Sequence, residues 1–247
     1  MKPDEWQRML LAVVFGLAAA SGNILGGLFV VRREWPRRYL IYFLALGAGF
    51  MLAVSLMEIV PESIRLAGNS ALLLVLVGYF IVHFFEHTLA PHFHFGEETH
   101  HEQMSVRHAS FSALTGLAIH SLFDGVAIAS GFLVSRWLGL LIFFAIVLHK
   151  LPEGFTVSSL LLAGGANRRS ALLGSALLGG ATIAGVLLTG ILQTDLSYTL
   201  PLSAGVTIYV AASDLIPEIN RERNVWAAIL VFVGVAVLLG LHKIFGI

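Results

Sequence analysis

The chain has 247 residues, of which 57% are hydrophobic and 12% charged, and its mean hydropathy is +0.85. Soluble domains carry about 25% charged residues, so a single soluble globular domain is excluded, and so is intrinsic disorder. The lack of cysteine excludes disulfides, thiolate metal sites and thiol catalysis. A net charge of zero, without a long basic run, gives no support to nucleic-acid binding.

Eight apolar segments follow one another along the chain, each close to the ~20 residues that span a bilayer. The first is too long for the apolar core of a signal peptide, about 7–15 residues, and predicts a retained helix. The sequence therefore predicts an all-α polytopic membrane protein, with one transmembrane domain over 1–247. The eight predicted spans are 9–31, 39–60, 70–90, 109–130, 137–163, 170–192, 197–218 and 225–245.

The basic residues between these segments predict the orientation of the chain in the membrane. Cytoplasmic loops are enriched in Lys and Arg, and the connections 1–2, 3–4, 5–6 and 7–8 hold nine of them, against five on the other side. We therefore expect these connections in the cytoplasm and both termini outside it.

An internal repeat joins the second and seventh segments. Residues 48–62 read AGFMLAVSLMEIVPE and residues 204–218 read AGVTIYVAASDLIPE, with five identities at an offset of 156. In the predicted topology the two copies run in opposite directions, which is typical of the inverted repeats of secondary transporters. A chance match of two apolar helices is the alternative.

The repeat also predicts where its carboxylates lie. Glu58 and Glu62 are four residues apart near the outer end of segment two, and Asp214 and Glu218 are equally spaced near the inner end of segment seven. Side chains with this spacing share a helix face. They suit the entrance and the exit of a cation path, although carboxylates at helix ends are also ordinary in the headgroup zone.

A second pair of motifs lies near the bilayer centre. His120 and Asp124 in segment four, and His149 and Glu153 in segment five, are each four residues apart, so each pair shares a helix face. Facing each other, these segments present two imidazoles and two carboxylates, a set that suits a divalent first-row metal. Unpaired at this depth, Asp124, Glu153 and the adjacent Lys150 would together cost about 7–10 kcal/mol. They must be paired, hydrated or bound to metal.

The connection 91–108 is rich in histidine and is predicted to be cytoplasmic. It is either a solvated loop or a segment that collects metal ions weakly. Its candidate ligands are His92, His94, His100 and His101.

The third segment ends in His83, Glu86 and His87. We interpret this end as a metal contact on the exit side, with packing or simple surface exposure as the alternative. The pattern also matches the H-x-x-E-H motif of inverted zinc proteases, but a five-residue pattern is a weak signal in a chain with ten histidines.

The paired motifs HSLFDG at 120–125 and HKLPEG at 149–154 resemble the metal-binding motifs of the ZIP (Zrt-, Irt-like protein) family. The resemblance extends over the eight spans, the outside termini and the His-rich loop between spans three and four. It implies import of Zn²⁺, and often of Fe²⁺, Mn²⁺ or Cd²⁺, into the cytoplasm, without an organic cofactor. It also implies a 3+2+3 arrangement with helices 1–3 and 6–8 as inverted repeats, a homodimer, and an elevator-like movement.

Carried over by motif, the resemblance makes His120, Asp124, His149 and Glu153 the primary ligands. The family's Asn in helix four is Ser121 here, a poorer ligand, and a position that can be acidic in helix five is Lys150. We therefore expect one metal, with the Lys150 ammonium in place of a second cation.

Two other functions fit these residues. An intramembrane metal-dependent hydrolase would use the same ligands with an open position for water, and a metal-gated sensor would need a signalling surface.

The predicted location is the plasma (inner) membrane.

Overall fold

The computed structural model describes residues 3–32, 37–88, 106–192, 195–221 and 224–245, and the described segments are helical with short turns between some of them. All eight apolar segments contain a helix. The helices are α1 (Pro3–Arg32), α2 (Arg37–Val54, a π-helical turn Ser55–Ile59, then Val60–Ala67), α3 (Ser70–Thr88), α4 (Val106–Val134), α5 (Arg136–Ala163), α6 (Arg168–Leu192), α7 (Leu196–Tyr209, a π-helical turn Val210–Leu215, then Ile216–Arg221) and α8 (Val225–Phe245).

Seven of the described helices are long and apolar enough to cross a membrane, but the apolar part of α3, Ser70–Phe85, is shorter. Within the described residues, the prediction of eight spans is therefore supported for seven. An all-α polytopic membrane protein is the architecture that the described residues support.

The outer surface of the helices is apolar. Phe232 in α8 exposes 75% of its surface and Ile191 in α6 an equal fraction, and large apolar side chains are exposed on each of the described helices except α4. In water such a surface would drive association, whereas in a bilayer it faces lipid tails.

The helices pack as two groups of four. In the first group, α1 packs along α5 and α6, and α4 packs along α5 and α6. In the second group, α2 packs along α8 and α7, and α3 packs along α7. The two groups meet mainly where α2 contacts α5 and where α4 contacts α7.

Glycines allow the backbones to approach closely inside each group. A Cβ built on Gly154 of α5 would lie 2.0 Å from the carbonyl oxygen of Asn23 in α1, and one on Gly125 of α4 would lie 1.9 Å from that of Thr182 in α6. Small residues at helix interfaces give such contacts in membranes. They set α5 close against α1 and α4 close against α6.

Both π-helical turns lie just before a proline. Pro61 follows the turn Ser55–Ile59 in α2, and Pro217 follows the turn Val210–Leu215 in α7. Proline lacks an N–H and clashes with the carbonyl group four residues earlier, and a π-turn accommodates this by widening the helix. The acidic residues Glu58 and Asp214 belong to these turns.

Candidate metal-binding site

Four side chains from α4 and α5 meet at one buried point. His120 and Asp124 lie one turn apart on α4, and His149 and Glu153 lie one turn apart on α5. One ligand atom from each of the four lies within 4.8 Å of all the others, and each side chain is buried. The structure thus brings together the two motifs that the sequence singled out.

The imidazoles and the Asp124 carboxylate form the centre of this cluster. Nε2 of His120 lies 3.4 Å from Nε2 of His149, and Oδ2 of Asp124 lies 3.2 Å from the first and 3.3 Å from the second. Nδ1 of His149 lies 3.2 Å from the carbonyl oxygen of Ala145. When Nδ1–H donates to that oxygen, Nε2 keeps its lone pair toward the cluster, as metal-binding histidines require.

Lys150 holds the carboxylates of the same cluster. Its Nζ lies 2.7 Å from Oδ2 of Asp124 and 2.6 Å from Oε2 of Glu153, and it donates to Oγ of Ser121 at 2.8 Å. Oγ of Ser121 in turn donates to Oε1 of Glu153 at 2.7 Å. The ammonium is fully buried, so these bonds replace the hydration that a lysine has in water.

The donor set of the cluster is two nitrogens and two carboxylates. Imidazole and carboxylate together suit divalent first-row ions such as Zn²⁺, and four such ligands satisfy a tetrahedral ion. Within the described part of the chain, no other group of three or more His, Asp or Glu side chains is close enough to hold a metal ion.

The predicted entrance residues line a common cavity of about 440 Å³, although they have different partners. Glu58 contacts His242 of α8, whereas Glu62 accepts two hydrogen bonds from Arg65, at 2.5 and 2.7 Å. The cavity is also lined by Ser135 of the α4–α5 connection and by Trp137 in the first turn of α5.

The predicted exit residues lie on α3 and α7. Asp214 and Glu218 are buried, and Nη1 of Arg221 lies 3.7 Å from Oε2 of Glu218. The His83 ring is exposed, and its centroid lies 6.0 Å from that of Tyr209. The remaining exit and loop residues are not characterised: Glu86 and His87 lie in α3 but their side chains are outside the described set, and His92, His94, His100 and His101 lie outside the described residues.

The sequence analysis did not identify two polar residues that lie beside the predicted sites. The sequence analysis did not identify His242 because this residue lies 184 positions from Glu58. At the repeat offset of 156, His242 is the counterpart in sequence of Glu86 of the predicted exit. Asn23 was missed because one amide in a long apolar segment is no signal by itself, yet its side chain is fully buried beside the α5 motif.

The fold and this cluster define a helical integral membrane protein with a buried His/Asp/Glu cluster that fits a metal site. The comparisons with known proteins give the family. Residues 96–242 match the family described as ZIP Zinc transporter. The chain belongs to the ZIP zinc transporter family.

Three relatives illustrate the similarity. The chain is 29% identical to zinc transporter ZIP13 of Gallus gallus over 128 residues, which is 49% of this chain and 35% of the relative. It is 28% identical to zinc transporter ZIP13 of Homo sapiens over 138 residues, 51% of this chain and 37% of the relative. It is 28% identical to zinc transporter SLC39A7 of Canis lupus familiaris over 126 residues, 47% of this chain and 27% of the relative. The chain thus spans about a third of the length of the ZIP13 relatives.

Proposed function

We propose that this protein carries divalent transition-metal ions, Zn²⁺ above all, across a membrane into the cytoplasm. Fe²⁺, Mn²⁺ and Cd²⁺ are further substrates that its ligands suit. The observation that carries the proposal is the buried convergence of His120 and Asp124 with His149 and Glu153. The match to the zinc transporter family supports the same substrate class and gives no support to an intramembrane hydrolase.

Lys150 limits the site to one metal ion in this proposal. Its ammonium occupies the space between Asp124, Glu153 and Ser121, where the family resemblance places a second cation. With neutral histidines, the two carboxylates and the ammonium carry a charge of −1, which becomes +1 with a divalent ion. A site with this balance holds its ion without trapping it, as transport requires. A Lys150→Ala variant that binds a second metal equivalent supports this assignment.

An inverted repeat of helices 1–3 and 6–8 around α4 and α5 is the architecture we propose. Glycine contacts support it, because they recur at constant offsets. Gly49 of α2 contacts the Val231 carbonyl of α8, and Gly205 of α7 contacts the Val75 carbonyl of α3. Gly49 corresponds to Gly205 and Val75 to Val231, each at an offset of 156 residues. In the other group the offsets are 159 from α1 to α6 and 29 from α4 to α5. There Gly154 against Asn23 corresponds to Gly125 against Thr182, and Gly26 against Leu151 corresponds to Gly185 against Leu122.

The two helix groups suit an elevator-like movement. All four proposed ligands belong to the group of α1, α4, α5 and α6, and the backbone contacts at glycine make this group stiff. The contacts of α2 with α5 and of α4 with α7 form the surface along which the group would slide. The site would then face each side of the membrane in turn.

The carboxylates at the two helix ends would form the two mouths of the path. Glu58 and Glu62 line the outer cavity, joined there by His242. Asp214 and Glu218, with the end of α3 at His83, would form the inner mouth. Both termini would lie outside the cytoplasm, the membrane would be the plasma (inner) membrane, and the carrier would be a homodimer.

Uptake of ⁶⁵Zn²⁺ into proteoliposomes tests the function. We expect saturable, time-dependent uptake by the wild type and its loss in His120→Ala and in His149→Ala. Zn²⁺ binding by intact protein without uptake would contradict transport and favour the hydrolase or the sensor. A Thr189→Val variant serves as control, because its hydroxyl donates only to the Gly185 carbonyl, at 2.9 Å.

A further inference from the structure

Asn23 of α1 carries a buried amide that has no hydrogen-bond partner in the described part of the chain. Its side chain is fully buried, and neither Nδ2 nor Oδ1 has a hydrogen-bond partner among the described residues. Buried side-chain amides are almost always hydrogen-bonded, because the alternative forfeits the hydration of the group. A partner that arrives in another state of the protein is one explanation for such an amide.

The neighbour of Asn23 on α5 is the turn that carries Lys150. A Cβ built on Gly22 would lie 3.1 Å from Cβ of Lys150, and one on Gly154 would lie 2.0 Å from the Asn23 carbonyl oxygen. Lys150 and Gly154 are four residues apart, so both face α1. The flexible four-carbon stem of a lysine lets its ammonium move between acceptors that lie on either side of it.

The present position of the ammonium conflicts with a bound metal ion. Lys150 is bonded to Asp124 and Glu153, which are two of the four proposed ligands. A divalent ion requires those carboxylate oxygens and repels the ammonium strongly in a buried site. Oδ2 of Asp124 is the oxygen that lies beside both imidazoles, so the ammonium loses at least this contact when the ion enters, and a buried ammonium then needs another acceptor.

We propose that Lys150 is an internal cation with two positions. In the empty site it neutralises Asp124 and Glu153, and in the loaded site it is held by Oγ of Ser121 and Oδ1 of Asn23. Asn23 is then a positioning residue that stabilises the loaded state, and Lys150 is a competitor that weakens binding and speeds release. This inference rests on the proposed metal site.

A double-mutant cycle on Zn²⁺ affinity, measured on the purified full chain in detergent, tests this inference. We expect Lys150→Met to bind Zn²⁺ about tenfold more tightly, because the competitor is gone. We expect Asn23→Leu to bind it about five- to tenfold more weakly, an ordinary coupling for groups in contact. In the Lys150→Met background, Asn23→Leu should have no effect. An equal effect of Asn23→Leu in both backgrounds would overturn the proposal.

Two further variants keep the test decisive if Lys150→Met does not fold. Asn23→Asp offers the ammonium a stronger acceptor and should tighten Zn²⁺ binding, opposite to Asn23→Leu. Thr182→Val is the matched control, since Thr182 lies beside Gly125 as Asn23 lies beside Gly154, but its hydroxyl already donates to the Leu178 carbonyl at 3.3 Å. It should leave the affinity unchanged.

The outcome separates this inference from the proposed function. If the wild type binds Zn²⁺ and His149→Ala does not, the metal site stands, and the Asn23 variants alone decide the role of Lys150. If Asn23→Leu and Asn23→Asp shift the affinity in the same direction, the two-position ammonium is wrong. If the wild type binds no Zn²⁺, the proposed function itself fails.

Discussion

Oδ2 of Asp124 lies 2.7 Å from the ammonium of Lys150, and the same oxygen lies 3.2 and 3.3 Å from the Nε2 atoms of His120 and His149. One carboxylate oxygen is thus shared by an internal cation and by the groups that would bind the metal. The metal affinity of the site therefore depends on two competing interactions of Asp124, its proposed bond to the metal ion and its ion pair with Lys150. Variants at position 124 test their contributions.

Asp124→Asn removes the negative charge and keeps the shape of the side chain. We expect Zn²⁺ affinity to fall at least about a hundredfold, since even indirect partners of metal ligands contribute about 10–100-fold. Competition with a chromophoric chelator measures the affinity. Asp195→Asn is the control, because that exposed carboxylate lies at the start of α7. Wild-type affinity in Asp124→Asn would remove Asp124 from the ligand set.

Gly154→Ala and Gly125→Ala should each destabilise the protein. The new Cβ would lie 2.0 and 1.9 Å from a carbonyl oxygen of the facing helix, so α1 or α6 must move away. Overpacking of this kind costs about 1–3 kcal/mol or more. Thermal unfolding in detergent measures it, with Gly180→Ala of α6 as control, because among the described residues no atom outside the local helix backbone lies within 4 Å of the added methyl. Equal unfolding temperatures for all three would contradict the close packing.

Glu58→Gln should raise the KM for Zn²⁺ uptake several-fold with little change in kcat. Glu58 lines a cavity and contacts His242, and in the proposed path it attracts the ion before the buried site binds it. Glu62→Gln should act more weakly, because Arg65 already holds that carboxylate. Initial rates in proteoliposomes give both constants. A fall in kcat without a change in KM would place Glu58 outside the entry path.

Asp195 should make the start of α7 sensitive to acid. The Ser197 amide donates to Oδ1 at 2.9 Å and lowers the pKa of this carboxyl below its ordinary value of 3.8. A lowered folded-state pKa stabilises the fold above the ordinary value, and the contribution is lost as the pH falls through the lowered one. Asp195→Asn caps the helix without titrating. The difference in unfolding temperature between wild type and Asp195→Asn should therefore change only below about pH 4.

The sequence predicted the helices and the site for simple physical reasons. Uninterrupted apolar segments have few alternatives to a membrane helix. The spacing of four residues between His120 and Asp124, and between His149 and Glu153, fixes which face of each helix they share. The site was predictable because its geometry is largely local to α4 and α5.

The remaining features depend on contacts between distant parts of the chain. The pairing of Glu58 with His242 requires that α2 and α8 be neighbours. The direction of the Lys150 ammonium depends on carboxylates from two helices. The π-turns follow from how Pro61 and Pro217 are accommodated within continuous helices, which proline spacing does not reveal.

The ion pairs of Lys150 also bear on biosynthesis. When α4 and α5 pack together, Asp124 and Glu153 leave water already neutralised in part by a cation of the same chain. The nascent protein therefore does not depend on a metal ion to offset two buried negative charges. We therefore expect insertion and assembly in the membrane to be completed in a zinc-starved cell, so that the proposed carrier is ready when the ion becomes available.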